Sequence, residues 1–288
     1  MPQEELQPKQ HQDHRPGSDA AMQPRPASAM EGWRPAGKLA GRTAVISGGD
    51  SGIGRAVAIG FAKEGADVVI LHKEEWQDAN DTRGRIEAEG RRCDVLAGDI
   101  GDAAFCRDAA ARAAQFLGGR IDILVNNAAE QHPCEDFAQI DEATVERTFR
   151  TNILGMMWLT RAALPFMPNG GAIINSTSVT AYRGSADLVD YAATKGAITA
   201  FTRSLAKNLW KSRRIRVNAV APGPIWTPLI PASFDEERTA KHGAATLMGR
   251  VGQPDDCAPA YLFLAAEQDS AYFTGQVLHP NGGTIVNA

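Results

Sequence analysis

Tyr191 and Lys195 stand four residues apart in a run, Tyr191–Trp210, whose apolar spacing predicts a helix, so their side chains share one face. A phenol is a poor base at neutral pH because its ordinary pKa lies near 10. A neighbouring ammonium favours the phenolate, each unit of lowering being worth about 1.4 kcal/mol. The pair therefore suits giving a proton to a carbonyl oxygen in reduction and removing it in oxidation. Taken alone, Tyr-x-x-x-Lys also arises where tyrosine packs and lysine snorkels. Ser178 lies thirteen positions before Tyr191, and Ser176 is the competing hydroxyl in the same run. Far upstream comes Ser47-Gly48-Gly49-Asp50-Ser51-Gly52-Ile53-Gly54, between an apolar strand and an amphipathic helix. Glycines there let the backbone approach an anion, and the helix N-terminus offers free N–H groups and a positive dipole end. The turn suits a pyrophosphate. Its spacing is G-x-x-x-G-x-G, not the G-x-G-x-x-G of the commonest dinucleotide folds.

These groups need a scaffold. Thr43–Ser47, Asp67–Leu71, Asp94–Ala97, Ile121–Val125, Ala172–Asn175 and Ile215–Ala219 read as short β-branched strands covered on both faces. Helical patterns fall near Ile53–Lys63, Asp78–Glu89, Ala103–Phe116, Glu142–Ala163 and Tyr191–Trp210. Such alternation predicts one α/β domain over residues 39–288, a Rossmann-type doubly wound three-layer sandwich with a parallel sheet and right-handed crossovers. Ligands in these sheets sit beyond the carboxyl ends of the strands, where strand order reverses. Residues 1–38 are dense in Gln, Pro, His, Asp and Arg and lack apolar periodicity. The expectation is a polar extension, disordered or draped over the surface, whose loss before about Gly32 leaves assembly and turnover intact.

Composition narrows the function. Thirty basic against thirty-four acidic residues give a net charge of −4, no surplus to attract nucleic acid or an anionic membrane. No apolar run approaches the roughly 18 residues of a membrane span. Cys93, Cys106, Cys134 and Cys257 are scattered, and His11 and His14 sit in a polar tail, so no metal site is expected. Free thiols and the lack of an apolar secretory run after Met1 point to the cytoplasm.

With that glycine spacing the chain resembles the short-chain dehydrogenase/reductase family over about Leu39 to Ala288. Asn126-Asn127-Ala128-Ala129 stands where the family usually has N-N-A-G, and Asn152, Ser178, Tyr191-x-x-x-Lys195, Pro222-Gly223 and Asn281-Gly282-Gly283 follow in order. The polar extension and S-G-G-D-S-G-I-G resemble the stress-protein or aldehyde-reductase-like branch. The resemblance implies an oxidoreductase moving a hydride between a nicotinamide cofactor and a small carbonyl or alcohol. It assigns Tyr191 as acid/base, Lys195 to the nicotinamide ribose, Ser178 to the substrate oxygen and Asn152 to a water-linked proton relay. Cofactor contacts carry over to Gly48, Asp50, Ser51, Gly52, Ile53, Gly54, Asp99, Ile100, Asn126, Ala128, Pro222, Gly223, Ile225 and Thr227. It also implies a homotetramer.

Two departures matter. Ala129 replaces a customary glycine. His72 ends the second strand where NAD-preferring members carry an acid, and Lys73 follows, so NADP is favoured over NAD. Residues 225–250 fall where the family places its substrate lid, with Glu130, Gln131 and His132 at the same mouth. Two alternatives stay open. One is a silent dinucleotide-binding sensor acting through protein partners; the other is an epimerase or dehydratase sharing Y-x-x-x-K.

Overall fold

Strand pairing runs β3-β2-β1-β4-β5-β6-β7 in a seven-stranded sheet whose pairings are all parallel. The strands are β1 Thr43–Ser47, β2 Asp67–His72, β3 Cys93–Ala97, β4 Ile123–Asn126, β5 Ala172–Ser176, β6 Arg216–Val220 and β7 Val277–Leu278. Residues 4–286 are described by this computed structural model. Strand order reverses between β1 and β4, which opens a crevice beyond their carboxyl ends.

The helices are α1 Gly52–Lys63, α2 Trp76–Ala88, α3 Ala103–Phe116, α4 Glu142–Phe149, α5 Met156–Ala163, α6 Thr180–Arg183, α7 Val189–Arg213, α8 Glu236–Ala240, α9 Pro254–Ala265 and α10 Glu267–Ser270. Alternate strand residues serve opposite layers, as the two-residue side-chain period requires. Ile46, Val68 and Ile70 pack with Phe61 of α1, Ile86 of α2 and Tyr261 of α9. Val45, Val69 and Leu124 pack with Cys106 of α3, Leu159 of α5 and Leu209 of α7.

One expectation fails usefully. The pattern over Glu142–Ala163 predicts a single helix, but α4 passes into α5 through a π-helical turn, Arg150–Gly155. Gly155 lies against β3's following loop, where a Cβ would fall 2.7 Å from the Ile100 carbonyl oxygen. The turn carries Asn152, which is fully buried; wide turns of this kind commonly mark functional positions.

Residues 4–38 lie along the domain and are tied to it. Met22 is buried with Trp226 and Val251, and Met30 joins the main core. The Asp19 carboxylate accepts from the Gly52 N–H at 3.2 Å, capping α1. Trp33 Nε1 donates to Glu64 at 2.7 Å and Trp226 Nε1 to the Pro24 carbonyl at 2.8 Å. These contacts predict that loss of the segment costs stability. Isolated anchors, without periodicity, leave no signal in composition.

Candidate active site

Local geometry fixes the glycine turn first. Gly48 and Gly52 hold φ of +63° and +50°. A Cβ on Gly48 would stand 3.1 Å from the Ala128 Cα, and one on Gly54 would lie 1.8 Å from the Gly48 carbonyl oxygen. Only glycine allows β1, β4 and α1 to meet so closely. The Ser47 hydroxyl accepts from the N–H groups of Asn127 (3.0 Å) and Ala128 (3.2 Å), which locks the ends of β1 and β4 together.

A cavity of about 770 Å³ runs from this turn to Tyr191. Gly48, Asp50, Ser51, Gly52, Ile53, His72, Lys73, Asp99, Ile100, Ala128, Ser178, Tyr191, Lys195, Pro222, Gly223, Ile225 and Thr227 all line it. Three expected site residues do not. Gly54 sits behind the turn. Asn126 points under the sheet, its amide donating to Thr160 Oγ1 (3.0 Å) and Asn175 Oδ1 (2.9 Å), while neighbouring Asn127 lines the cavity instead. Alternation along β4 decides which of the two amides faces the crevice. Asn152 lies one layer back, bonded to the Glu130 N–H and carbonyl (both 2.9 Å) and to Thr194 Oγ1 (3.1 Å).

Tyr191 and Lys195 descend side by side from α7 and are both buried. The Lys195 ammonium stands 5.2 Å from the centre of the Tyr191 ring and donates to the Ser176 carbonyl at 2.9 Å. Burial pushes the phenol up to about 12, against a hydrogen bond with Ser178 that pulls the other way. Burial also pushes Lys195 down to about 7. Desolvation of both groups thus works against the phenolate-favouring effect of the neighbouring ammonium. Ser176, the rival serine, is occupied: its hydroxyl pairs with Tyr261 Oη (2.6 Å) and Asn127 Oδ1 (3.1 Å).

At the opposite end, His72 is buried with neither ring nitrogen partnered, and Trp76 meets it edge-on at 4.6 Å. Burial lowers its pKa and so favours the neutral ring. Lys73 Nζ approaches Asp99 Oδ2 at 3.3 Å. Burial raises Asp50 to about 7, opposed by a hydrogen bond from Ser51, so this carboxyl repels an anion at the turn only weakly. Among the described residues no group of His, Cys, Asp and Glu is arranged to hold a metal. Sequence reasoning missed Arg15, Pro16 and Gly17, which also line the cavity; nothing local marks them.

Residues 48–284 match a family described as enoyl-(acyl carrier protein) reductase. The chain belongs to the short-chain dehydrogenase/reductase family. Within this family, general stress protein 39 of Bacillus subtilis is 51% identical over 279 residues, 97% of this chain and 96% of that protein. The chloroplastic NADPH-dependent aldehyde reductase 1 of Arabidopsis thaliana is 49% identical over 286 residues, 97% and 99% of the two chains. A short-chain dehydrogenase of Burkholderia cenocepacia, solved with NADP, superposes with a TM-score of 0.78 at 30% identity, covering 85% of this chain and 98% of that one. This short-chain dehydrogenase/reductase is an oxidoreductase by descent. No helix among its described residues is long and apolar enough to cross a membrane.

Proposed function

We propose that the protein reduces small carbonyl compounds with NADPH in preference to NADH, Tyr191 serving as the acid. The observation that carries this reading is the joint burial of Tyr191 and Lys195 in the cavity that begins at the glycine turn, with Ser178 lining the same cavity. The residues present fit a dinucleotide: the turn is too tight for any Cβ, and two orphaned His72 nitrogens lie at the far end. A nicotinamide cofactor bound there supplies the hydride.

The chain's own groups do the rest. Ser178 and Tyr191 hold the carbonyl oxygen between two hydroxyls. With its pKa raised to about 12, Tyr191 is protonated at neutral pH and gives its proton to that oxygen as the carbon is reduced. Lys195 orients the nicotinamide ribose, and Asn152 fixes the Glu130 backbone at the mouth. His72 and Lys73, replacing an acid, favour a 2′-phosphate; the Arabidopsis relative's stated NADPH dependence and the NADP in the Burkholderia structure support this. Retention of both Tyr191 and Lys195 argues against a silent sensor. We further propose a cytoplasmic homotetramer, in which the exposed apolar side chains Leu247, Met248 and Ile285 would be covered.

The test is NADPH oxidation with a panel of aldehydes, ketones and sugars, in the wild type and Tyr191→Phe. The variant should lose at least about 10²-fold in turnover while NADPH binding stays near wild type. A near-normal rate in the variant overturns the assignment.

A further inference from the structure

The segment before the domain reaches into the mouth of the cavity. Gln12 N–H donates to the Pro231 carbonyl at 2.9 Å, and His11 Nδ1 meets the Phe234 carbonyl at 2.9 Å. A Cβ on Gly17 would fall 2.7 Å from the Pro228 carbonyl oxygen, so the chain passes hard against the lid. Between these contacts Arg15 extends its guanidinium. Nε donates to the Ala232 carbonyl at 2.8 Å and Nη1 to His132 Nδ1 at 2.9 Å. A guanidinium only donates, so His132 Nδ1 accepts and the ring's proton sits on Nε2. That nitrogen faces Glu130 Oε2 at 3.6 Å, and Glu130 is held by Arg147 (3.0 Å) and Thr151 (2.9 Å). Arg15 is thus oriented through His132 and Glu130 from the same backbone that Asn152 clamps.

At this end of the cavity five cations, Arg15, Arg147, Arg183, Arg238 and Lys241, stand with three lining carboxylates, Glu130, Asp235 and Glu237. Arg147 pairs with Glu130, Arg238 with Asp187 and Lys241 with Glu237. Among the described residues Arg15 and Arg183, which also line the cavity, have no carboxylate within ion-pair distance. Nη2 of Arg15 has no acceptor among the described residues, and the side chain is open to solvent. A positioned guanidinium with unused donors matches a carboxylate or phosphate.

We propose that Arg15 is a substrate-binding residue and that the site favours carbonyl substrates carrying an anionic group, carboxylate or phosphate, beyond the reacting carbon. The inference rests on the reductase reading, and the segment before the domain becomes a wall of the active site.

Two matched pairs test it: succinic semialdehyde against butanal, and glyceraldehyde 3-phosphate against glyceraldehyde. The readout is the ratio of kcat/KM within each pair, because a loosened lid lowers both members alike. The wild type should prefer the anionic member of at least one pair, and whichever pair shows it names the anion. Arg15→Gln should reduce that preference about tenfold, the scale of a charged hydrogen bond, and Arg15→Lys should keep much of it. No wild-type preference, or one that survives in Arg15→Gln, overturns the proposal. Titration with succinate and with glycerol 3-phosphate asks the same without turnover: binding lost in Arg15→Gln supports the proposal, and equal or absent wild-type binding overturns it. Absence of turnover on every aldehyde, with anion binding still dependent on Arg15, would instead refute the reductase reading alone.

Discussion

Replacing Lys195 by Met should make the ligand-free protein more stable while removing its activity. Burial lowers the lysine from 10.5 to about 7, so folding at neutral pH strips its proton or buries its charge. At about 1.4 kcal/mol per unit the cost approaches 5 kcal/mol as an upper bound. Against this, the Ser176 carbonyl loses its 2.9 Å donor, a penalty of about 1–3 kcal/mol. The net gain at pH 7 is then about 2 kcal/mol, or roughly 3 °C in Tm for a chain of 288 residues. The sign of the pH dependence follows from proton counting. Between about pH 7 and 10.5 the unfolded chain holds the lysine proton and the native chain does not, so wild-type stability rises with pH on this account. The advantage of Lys195→Met should therefore be full at and below pH 7 and shrink towards pH 10.5. Thermal melts of both proteins at about pH 7 and pH 9.5 decide it. A variant less stable than wild type at pH 7, or an advantage that does not fall with pH, refutes the reasoning.

His72→Asp should move the ratio of kcat/KM for NADPH over NADH towards NADH, since a carboxylate accepts ribose hydroxyls and repels a 2′-phosphate; a wild-type preference for NADH of about tenfold would sink this. Deleting residues 1–31 should cost at least about 4 kcal/mol, because burial of Met22 and Met30 and the Asp19 cap are lost together. Urea unfolding measures that, and an unchanged midpoint would show the contacts carry no net energy. Light scattering should give the mass of four chains, and Leu247→Lys with Met248→Lys should lower it; a monomeric wild type removes the assembly from the account.

What the sequence made legible was what is local. The strands announced themselves as β-branched runs bounded by glycine or charge, and the Tyr191–Lys195 face needed only helical spacing. α7 runs on to Arg213, beyond the expected Trp210, and ends where Arg214 takes a left-handed φ of 53°. The π-helical turn at Asn152 escaped because periodicity cannot register one inserted residue. The choice between Asn126 and Asn127 turned on a single step of strand alternation. The rise of the Tyr191 pKa was invisible because burial, unlike spacing, is settled by distant packing. Arg15 and Asp19 act across the fold, and nothing in a polar segment marks such partners.

The strapping of residues 4–38 also sets an order of events. Met30 N–H is held by Asp255, 225 positions later, and Ala27 N–H by Gln253, 226 positions later. Contacts closing loops of that span carry a large entropic cost and form late. During synthesis this segment, made before α9, must therefore wait, undocked, until α9 has emerged and packed on α1. Refolding should show the same lag, with the amides of Met30 and Gly52 gaining protection from hydrogen exchange after the strands of the sheet. Arg15, on the same segment, accordingly reaches the cavity mouth only after the sheet that carries the mouth has formed.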